Sequence, residues 1–255
     1  MLVRSWNLFH GNSVPPQRRA FLDEMLRLAT ADDPDVLCVQ EVPAWALPRF
    51  TVGDVAARPP FGATLGRLLT APSHGLIRSA FSGQGNAIRL SPRLRLLAHA
   101  ALALNPPDFR RRKARELGLD ALGRLAWARE RRVVQAVRLQ LADGRTATVA
   151  NLHCTSYEAV RRLADAELER AAEFALATAR GDEPVVVAGD FNVRYAESAT
   201  LGGLAERGFS APGPGIDHVL VCGADVSALR VWPDERRLHD GVLLSDHAPV
   251  EVDVA

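Results

Sequence analysis

The chain has 255 residues, 47% of them hydrophobic, with a formal net charge of +1 and a sequence pI near 7.9. That is enough apolar material for one large α/β core. The charge is too balanced for a surface built to coat nucleic acid, so any polyanion site has to be local. Lys113 is the one lysine among the basic residues; the arginines suit bidentate phosphate contacts and are equally what a codon bias would leave.

Leu2 to Leu8 reads as a first strand, and Pro15-Pro16 as the start of a helix with Leu22, Met25, Leu26 and Ala29 on one face. Asp35 to Glu41 is a continuous apolar strand with a polar end. The same order returns later: a strand from Thr146 to His153, a helix from Glu158 to Arg180 with Val160, Ala164, Leu168, Ala171 and Ala175 on one stripe, and a strand from Pro184 to Asp190. The chain is thus pseudo-duplicated. In each half the first strand delivers an asparagine (Asn7, Asn151) and the strand after the helix a carboxylate (Glu41, Asp190). They lie at chain ends where α/β folds place their sites.

Between the two units, Gly85 to Ser91 and Leu94 to Leu104 read as paired strands, and Arg132 to Leu141 turns through Asp143-Gly144 into the Thr146 strand as a hairpin. The tail adds strands over Ile216 to Cys222, Val226 to Trp232 and His247 to Val254. The loops 42–84 and 106–131 match no pattern, and the second is expected to be an inserted surface loop and helix. Cys38, Cys154 and Cys222 sit in apolar runs without metal or disulfide spacing and read as core residues. No charged n-region with an apolar run opens the sequence and no apolar run is long enough to span a bilayer, so a cytoplasmic, monomeric, single-domain protein over 1–255 is expected.

Apolar strands that end in amide or acidic groups need a partner for those groups, and a metal ion serves several at once. Asn7, Glu41, Asp190, Asn192 and Asp246 are hard oxygen donors without a thiolate, which suits Mg²⁺ or Mn²⁺ over zinc. His153 and His247 accompany them and suit proton transfer or stabilisation of phosphoryl charge.

The strings Ser5-Trp6-Asn7, Val39-Gln40-Glu41, Gly85-Asn86-Ala87-Ile88, Asn151-Leu152-His153, Gly189-Asp190-Phe191-Asn192, Ile216-Asp217-His218-Val219 and Ser245-Asp246-His247-Ala248-Pro249-Val250 occur in this order. Together they resemble the signatures of the endonuclease/exonuclease/phosphatase superfamily from about residue 5 to the C-terminus. The resemblance implies a four-layered α/β sandwich, two mixed β-sheets packed face to face with helices on the outside. It implies that Glu41, with Asn7 and Asp246, holds the metal. Asp190 matches the aspartate that orients or deprotonates the attacking water or assists the leaving group. Asn192 matches the phosphate-contacting amide, His247 the donor to a non-bridging oxygen, and Asp217 the carboxylate that fixes His247. His153 matches the second histidine of the deoxyribonuclease-I-like and sphingomyelinase-like branches. Abasic-site members carry a tyrosine-containing motif where this chain has Asn151-Leu152-His153, which counts against that specialised role.

Taken singly, each carboxylate is more often a strand-end cap; taken jointly they are not. Asn86, Asn151 and Arg132 are expected to touch substrate; for Asn86 the alternatives are a turn residue before its strand or a residue that orients His153, and for Arg132 an ordinary charge flanking a strand. His10, His74, His99 and His239 default to surface or satisfied core positions. The run Arg110 to Lys113 is usually a solvated face, and is the best place here for a polyanion to bind. The reading is a Mg²⁺- or Mn²⁺-dependent hydrolase of a phosphoester, with a phosphodiester, possibly nucleic acid, as substrate. The alternatives are a phosphatase or phosphodiesterase for a small or lipid-headgroup ester, inositol phosphate or sphingomyelinase-like, and an inert binding relative.

Overall fold

The computed structural model describes residues 1–58, 62, 64–65, 68, 81–129, 131–156 and 162–255. In chain order the strands and helices are β1 (Leu2–Asn7), β2 (Ser13–Val14), α1 (Leu22–Ala29), β3 (Val36–Pro43), β4 (Val52–Ala57), β5 (Gln84–Leu90), β6 (Arg95–Ala103), α2 (Pro107–Glu116) and α3 (Ala121–Arg129). There follow β7 (Val133–Gln140), β8 (Thr146–His153), α4 (Arg162–Thr178), β9 (Val185–Asp190), α5 (Ala199–Glu206), β10 (Asp217–Cys222), β11 (Arg230–Val231), β12 (Leu238–His239), β13 (Val242–Leu244) and β14 (Val250–Asp253).

Two sheets carry the fold. One has the strand order β11-β14-β1-β3-β5-β4, the other β10-β9-β8-β7-β6, and a small third sheet joins β12, β13 and β2. Val3, Val36, Cys38 and Ile88 of the first sheet pack against Val137, Val149, Val186 and Val219 of the second, so the two lie face to face. Each outer face is covered by helix. Leu22, Met25, Leu26 and Ala29 of α1 recur at helical spacing and close over Trp6, Leu37 and Val39. Ala164, Leu168, Ala171 and Ala175 of α4, with Leu201 and Leu204 of α5, cover Val134, Ala150, Leu152 and Val187. Helix, sheet, sheet and helix make the four-layered α/β sandwich. Burial of each large apolar side chain contributes roughly 1.5–3 kcal/mol, so no single layer stands alone.

The repeated unit is real at the level of pairing. β1 and β3 are parallel and linked through α1, and β8 and β9 are parallel and linked through α4. Parallel neighbours need such a crossover helix. All four strands therefore end at the same edge.

Several expectations are corrected. No helix begins at Pro15-Pro16; Ser13–Val14 adds to the small sheet and α1 starts only at Leu22. The two runs read as a pair, β5 and β6, do not pair with one another. β5 lies between β3 and β4 in the first sheet, and β6 is the outer strand of the second, on β7. Three residues of turn after Ser91 carry the chain from sheet to sheet, and local sequence does not encode which partner each strand finds. Of 226–232 only Arg230–Val231 is a strand, with a single bridge from Val226 to Val254. Inside 42–84, β4 extends the first sheet, and most of 59–80 lies outside the described residues, as do His74 and 157–161 of the expected Glu158 to Arg180 helix. The segment 106–131 holds two helices. In α2, Arg111 pairs with Asp108, and Arg112 and Lys113 pair with Glu116, so much of the basic run is neutralised on its own helix. Among the described residues no helix is long and apolar enough to cross a membrane.

Candidate active site

Strand direction assembles the site. Parallel strands β1, β8 and β9 give up their last residues, Asn7, His153 and Asp190, at one edge, and β3 gives up Glu41 two residues before its end. Antiparallel β10 gives up its first, since Asp217 lies opposite Asp190. β7 begins there after Arg132, and Asp246 and His247 lie on the loop leading into β14, which runs antiparallel to β1.

Local irregularities aim the side chains. The pairing of β3 with β5 shifts between Val39 and Val42, and Glu41 there takes a left-handed backbone, φ 51°. A bulge of this kind turns a side chain out of the alternation of the strand. Asn192 and Ser245 are left-handed as well. Gly189 has φ 146°, and a Cβ on it would stand 2.0 Å from the Leu152 carbonyl oxygen, so β9 can lie close to β8 only through glycine.

The two sheets meet at Asn7, whose Nδ2 donates to Asp190 Oδ2 at 2.9 Å while its Oδ1 accepts from Phe9 N. Asp190 is buried; its Oδ1 accepts from Asn192 N, and its Oδ2 faces three nitrogens: His153 Nε2 at 3.5 Å, His247 Nε2 at 3.8 Å and the Asn7 amide. Burial, and then the charge of Asp217, push its carboxyl far above the usual carboxylate range. Burial opposes protonation of His247, but the hydrogen bond from His247 Nδ1 to Asp217 Oδ2 (2.8 Å) and the charge behind it prevail, carrying the imidazole up to about 10. It is an imidazolium at neutral pH. Burial, then the Arg132 guanidinium, hold His153 well below the ordinary value; Arg132 Nη1 lies 3.0 and 3.1 Å from its two ring nitrogens. Burial would raise Glu41, yet His10, His153 and Arg132 hold it ionised, far below the usual range. Asp246 is the most open member, its side chain 46% exposed, and is raised by burial and by the nearby charges of Glu41 and Asp217.

Donor atoms of Asp190, Asp217 and His247 all lie within 4.8 Å of one another. That trio is a poor cation cage, because Nδ1 of His247 is taken by Asp217 and an imidazolium has no lone pair to offer. The oxygens of Asn7, Glu41 and Asp246 lie outside that pairing.

Not every expected residue reaches the sheet edge. In the second half His153, not Asn151, lies level with the carboxylate, because β8 and β9 pair His153 with Asp190. Asn151 is two residues back and wholly buried; its Nδ2 donates to the carbonyls of Val39 and Ala87, and its Oδ1 accepts from Gln40 Nε2. It fastens one sheet to the other under the site. Asn86 is buried, with Nδ2 on the carbonyl of Val133, the residue after Arg132. Asn192 keeps its edge position, giving one amide hydrogen to the Cys154 carbonyl. His218 is satisfied by Gly213 N and the Val193 carbonyl.

Other residues went unseen in the sequence. His10, expected at the surface or in a satisfied core, is buried with Nε2 3.1 Å from Glu41 Oε2. The loop 244–247 is pinned by Arg237, whose Nη1 donates to the carbonyls of Leu244, Ser245 and His247, by Trp6 Nε1 on the His247 carbonyl (2.9 Å), and by Ser245 Oγ on the Asn7 carbonyl (2.7 Å). Glu167 of α4 is a buried carboxylate that accepts from Asn105, Trp127 and Thr155, tying the α2–α3 insertion to the end of β8. Arg237 and Glu167 stand in charged helical or turn sequence with no motif around them, so no local signal sets them apart.

The sequence pattern of the Endonuclease/Exonuclease/phosphatase family matches residues 5–247. The chain belongs to that family. Its members hydrolyse phosphoester bonds, and the four-layered fold and the edge site agree with that assignment. Among curated protein sequences none matches the chain. Among solved structures it resembles a functionally unknown conserved protein from Enterococcus faecalis V583, at 17% identity and TM-score 0.67, covering 100% of this chain and 99% of the other. It is similar to a D. rerio TDP2 humanized by 14 mutations, at 13% identity and TM-score 0.61, covering 100% and 98%. It is also similar to a mannosyl-6-phosphatase of Bacteroides thetaiotaomicron VPI-5482, at 15% identity and TM-score 0.61, covering 100% and 99%. At such identities these likenesses concern the fold.

Proposed function

We propose that the protein hydrolyses phosphodiesters with Mg²⁺ or Mn²⁺, a nucleic acid or nucleotide-like ester being the substrate. The observation that carries this reading is the meeting of an oxygen-donor side and a phosphate side, joined by the hydrogen bond from Asn7 to Asp190. The donors fit a hard divalent cation: Glu41, Asn7 and Asp246 offer carboxylate and amide oxygens. Burial, and behind it the charges of Glu41 and Asp217, raise Asp246, and a cation beside it would offset both. When bound, the ion neutralises charge on the phosphoryl oxygens.

The chain's own groups do the rest. Asp190, with its raised carboxyl, accepts the proton of a water placed in line with the departing oxygen. His247, held charged by Asp217, donates from Nε2 to a non-bridging oxygen. Arg132 and the remaining amide hydrogen of Asn192 offer further donors, and neutral His153 stands between Arg132 and Asp190. Asn151 and Asn86 act beneath this surface, one holding the sheets and the other the strand that begins after Arg132.

A second reading is hydrolysis of a small or lipid-headgroup phosphoester. The likeness to a mannosyl-6-phosphatase and the pairing of Arg111, Arg112 and Lys113 within their own helix favour it. An inert relative is disfavoured because every site group from Asn7 to His247 is present. A panel of plasmid, single-stranded DNA, RNA, a chromogenic phosphodiester and phosphomonoesters, with Mg²⁺ or Mn²⁺ and then chelator, separates these readings. Asp190→Asn and His247→Ala each lose most turnover while remaining folded. Undiminished activity in both, or hydrolysis indifferent to chelator, overturns the mechanism, and activity on small esters alone discards the nuclease.

A further inference from the structure

Residues 8–12 spend conformational energy to put one imidazole against one carboxylate. Phe9, His10 and Gly11 are consecutively left-handed, at φ 46°, 54° and 76°. For two non-glycine residues that conformation costs on the order of 1 kcal/mol or more each, and it persists only where the surroundings enforce it. The turn is enforced by Leu8 N on the Gln40 carbonyl, Asn12 N on the Phe9 carbonyl and Phe21 N on the Gly11 carbonyl. Its result is that His10 folds back beneath β3, 3% exposed, with Nε2 3.1 Å from Glu41 Oε2.

The other ring nitrogen is left without compensation: Nδ1 of His10 is buried and has no hydrogen-bond partner among the described residues. An unmade bond of this kind costs roughly 1–3 kcal/mol. A histidine serving only to fill space is replaceable by an apolar ring without that cost. Glu41 is itself on a bulge with left-handed backbone, so its carboxylate has no strand neighbour to orient it. Of its two oxygens, Oε2 lies against His10 and Oε1 lies on the side of His153, 3.9 Å from its Nε2.

We propose that His10 is the positioning residue of the metal carboxylate: its Nε2–H fixes Glu41 Oε2, leaving Oε1 as the single oxygen presented to the ion. This rests on the metal reading above. Nε2 is spent on Glu41 and Nδ1 points into the protein, so His10 is not itself a ligand. Partners that hold a ligand in this way are typically worth about 10–100-fold in metal affinity.

The test is calorimetric titration of Mn²⁺ into the chelator-stripped wild type, Glu41→Gln, His10→Ala and His10→Gln, without substrate. Wild type binds and Glu41→Gln does not. His10→Ala weakens binding about 10–100-fold. His10→Gln, whose side-chain amide places a donor near the position of Nε2, recovers most of the loss. Circular dichroism of the stripped proteins checks that each is folded, and should His10→Ala fail to fold, His10→Leu against His10→Gln carries the same comparison. In turnover assays the deficit appears in the Mn²⁺ concentration required more than in substrate KM. Wild-type affinity in the alanine or leucine variant, or equal loss in the alanine and glutamine variants, overturns the role of His10 and leaves the metal site standing. A wild type that binds no Mn²⁺ removes both.

Discussion

Replacing Asp217 by asparagine removes a charge while keeping a side chain of the same shape 2.8 Å from His247 Nδ1. In the native protein His247 is raised to about 10, so its ring is charged throughout the neutral range. Without Asp217 only burial and more distant carboxylates act, and burial lowers it toward or below the ordinary 6.5. At about pH 7.5 an imidazole of pKa ~6.5 is charged in roughly one molecule in ten, which alone costs about tenfold in rate. Loss of a charge-assisted hydrogen bond, about 1.5–3 kcal/mol, adds a further factor of about 10–100 through misorientation of the ring. The same substitution relieves Asp190, whose carboxyl the charge of Asp217 helps to raise, so that Asp190 ionises at lower pH. Both limbs of the kcat/KM profile therefore move to acid, and turnover falls by roughly 10²–10³ at about pH 7.5 and is partly regained near pH 5.5. Stability follows the same linkage: a group raised on folding stabilises fully below its unfolded pKa of 6.5 and loses that contribution as pH rises through about 10. Wild type should lose urea resistance across that window relative to Asp217→Asn. A uniform drop in rate with both limbs in place refutes the argument that Asp217 acts by keeping His247 charged.

Three further outcomes are expected. Arg237→Ala leaves three carbonyls of residues 244–247 without their donor and costs about 2–4 kcal/mol in urea denaturation, with a fall in kcat as His247 loses its place. Asn151→Leu, which removes a donor from the carbonyls of Val39 and Ala87 and leaves the Gln40 amide only its bond to Ser5 Oγ, costs a similar ~2–4 kcal/mol while substrate KM stays near wild type; a large rise in KM with stability intact returns Asn151 to the substrate. Gly189→Ala drives a methyl into the Leu152 carbonyl at 2.0 Å and separates β8 from β9, so soluble expression or the melting temperature drops sharply; an unchanged melting temperature refutes the close approach.

What was legible in the sequence followed from chain direction and periodicity. The sequence bounds of β8 coincide with its observed ends and those of β1, β3 and β9 lie within a residue or two, because apolar runs that turn polar at Asn, Glu, His and Asp mark both the strand and its edge. The strand-end set converges for the same reason. What was not legible depends on contacts distant in sequence. Gly85 to Ser91 and Leu94 to Leu104 look like a hairpin locally, and only the competing partners Val39 and Val137 send them to different sheets. The asparagines of the two halves look equivalent, yet pairing leaves Asn7 at the edge and Asn151 inside. His10 carries no local signal, because its meaning lies in a run of left-handed backbone and only Gly11 of those three advertises that conformation.

The order in which the strands leave the first sheet and return to it has a consequence for synthesis. Residues 95–222 complete the second sheet without interruption, whereas β1 waits for β14, more than 240 residues later, to cover its other side. His247 and its anchor Ser245 come with that last strand. A nascent or truncated chain that stops short of it can hold Glu41 and Asp190 yet lacks the charged imidazole and the strand that seals its inner sheet. On the proposed reading the phosphate side of the site is therefore completed only once residues 245–253 have paired, and a chain cut before them keeps Glu41 and Asp190 without a working site.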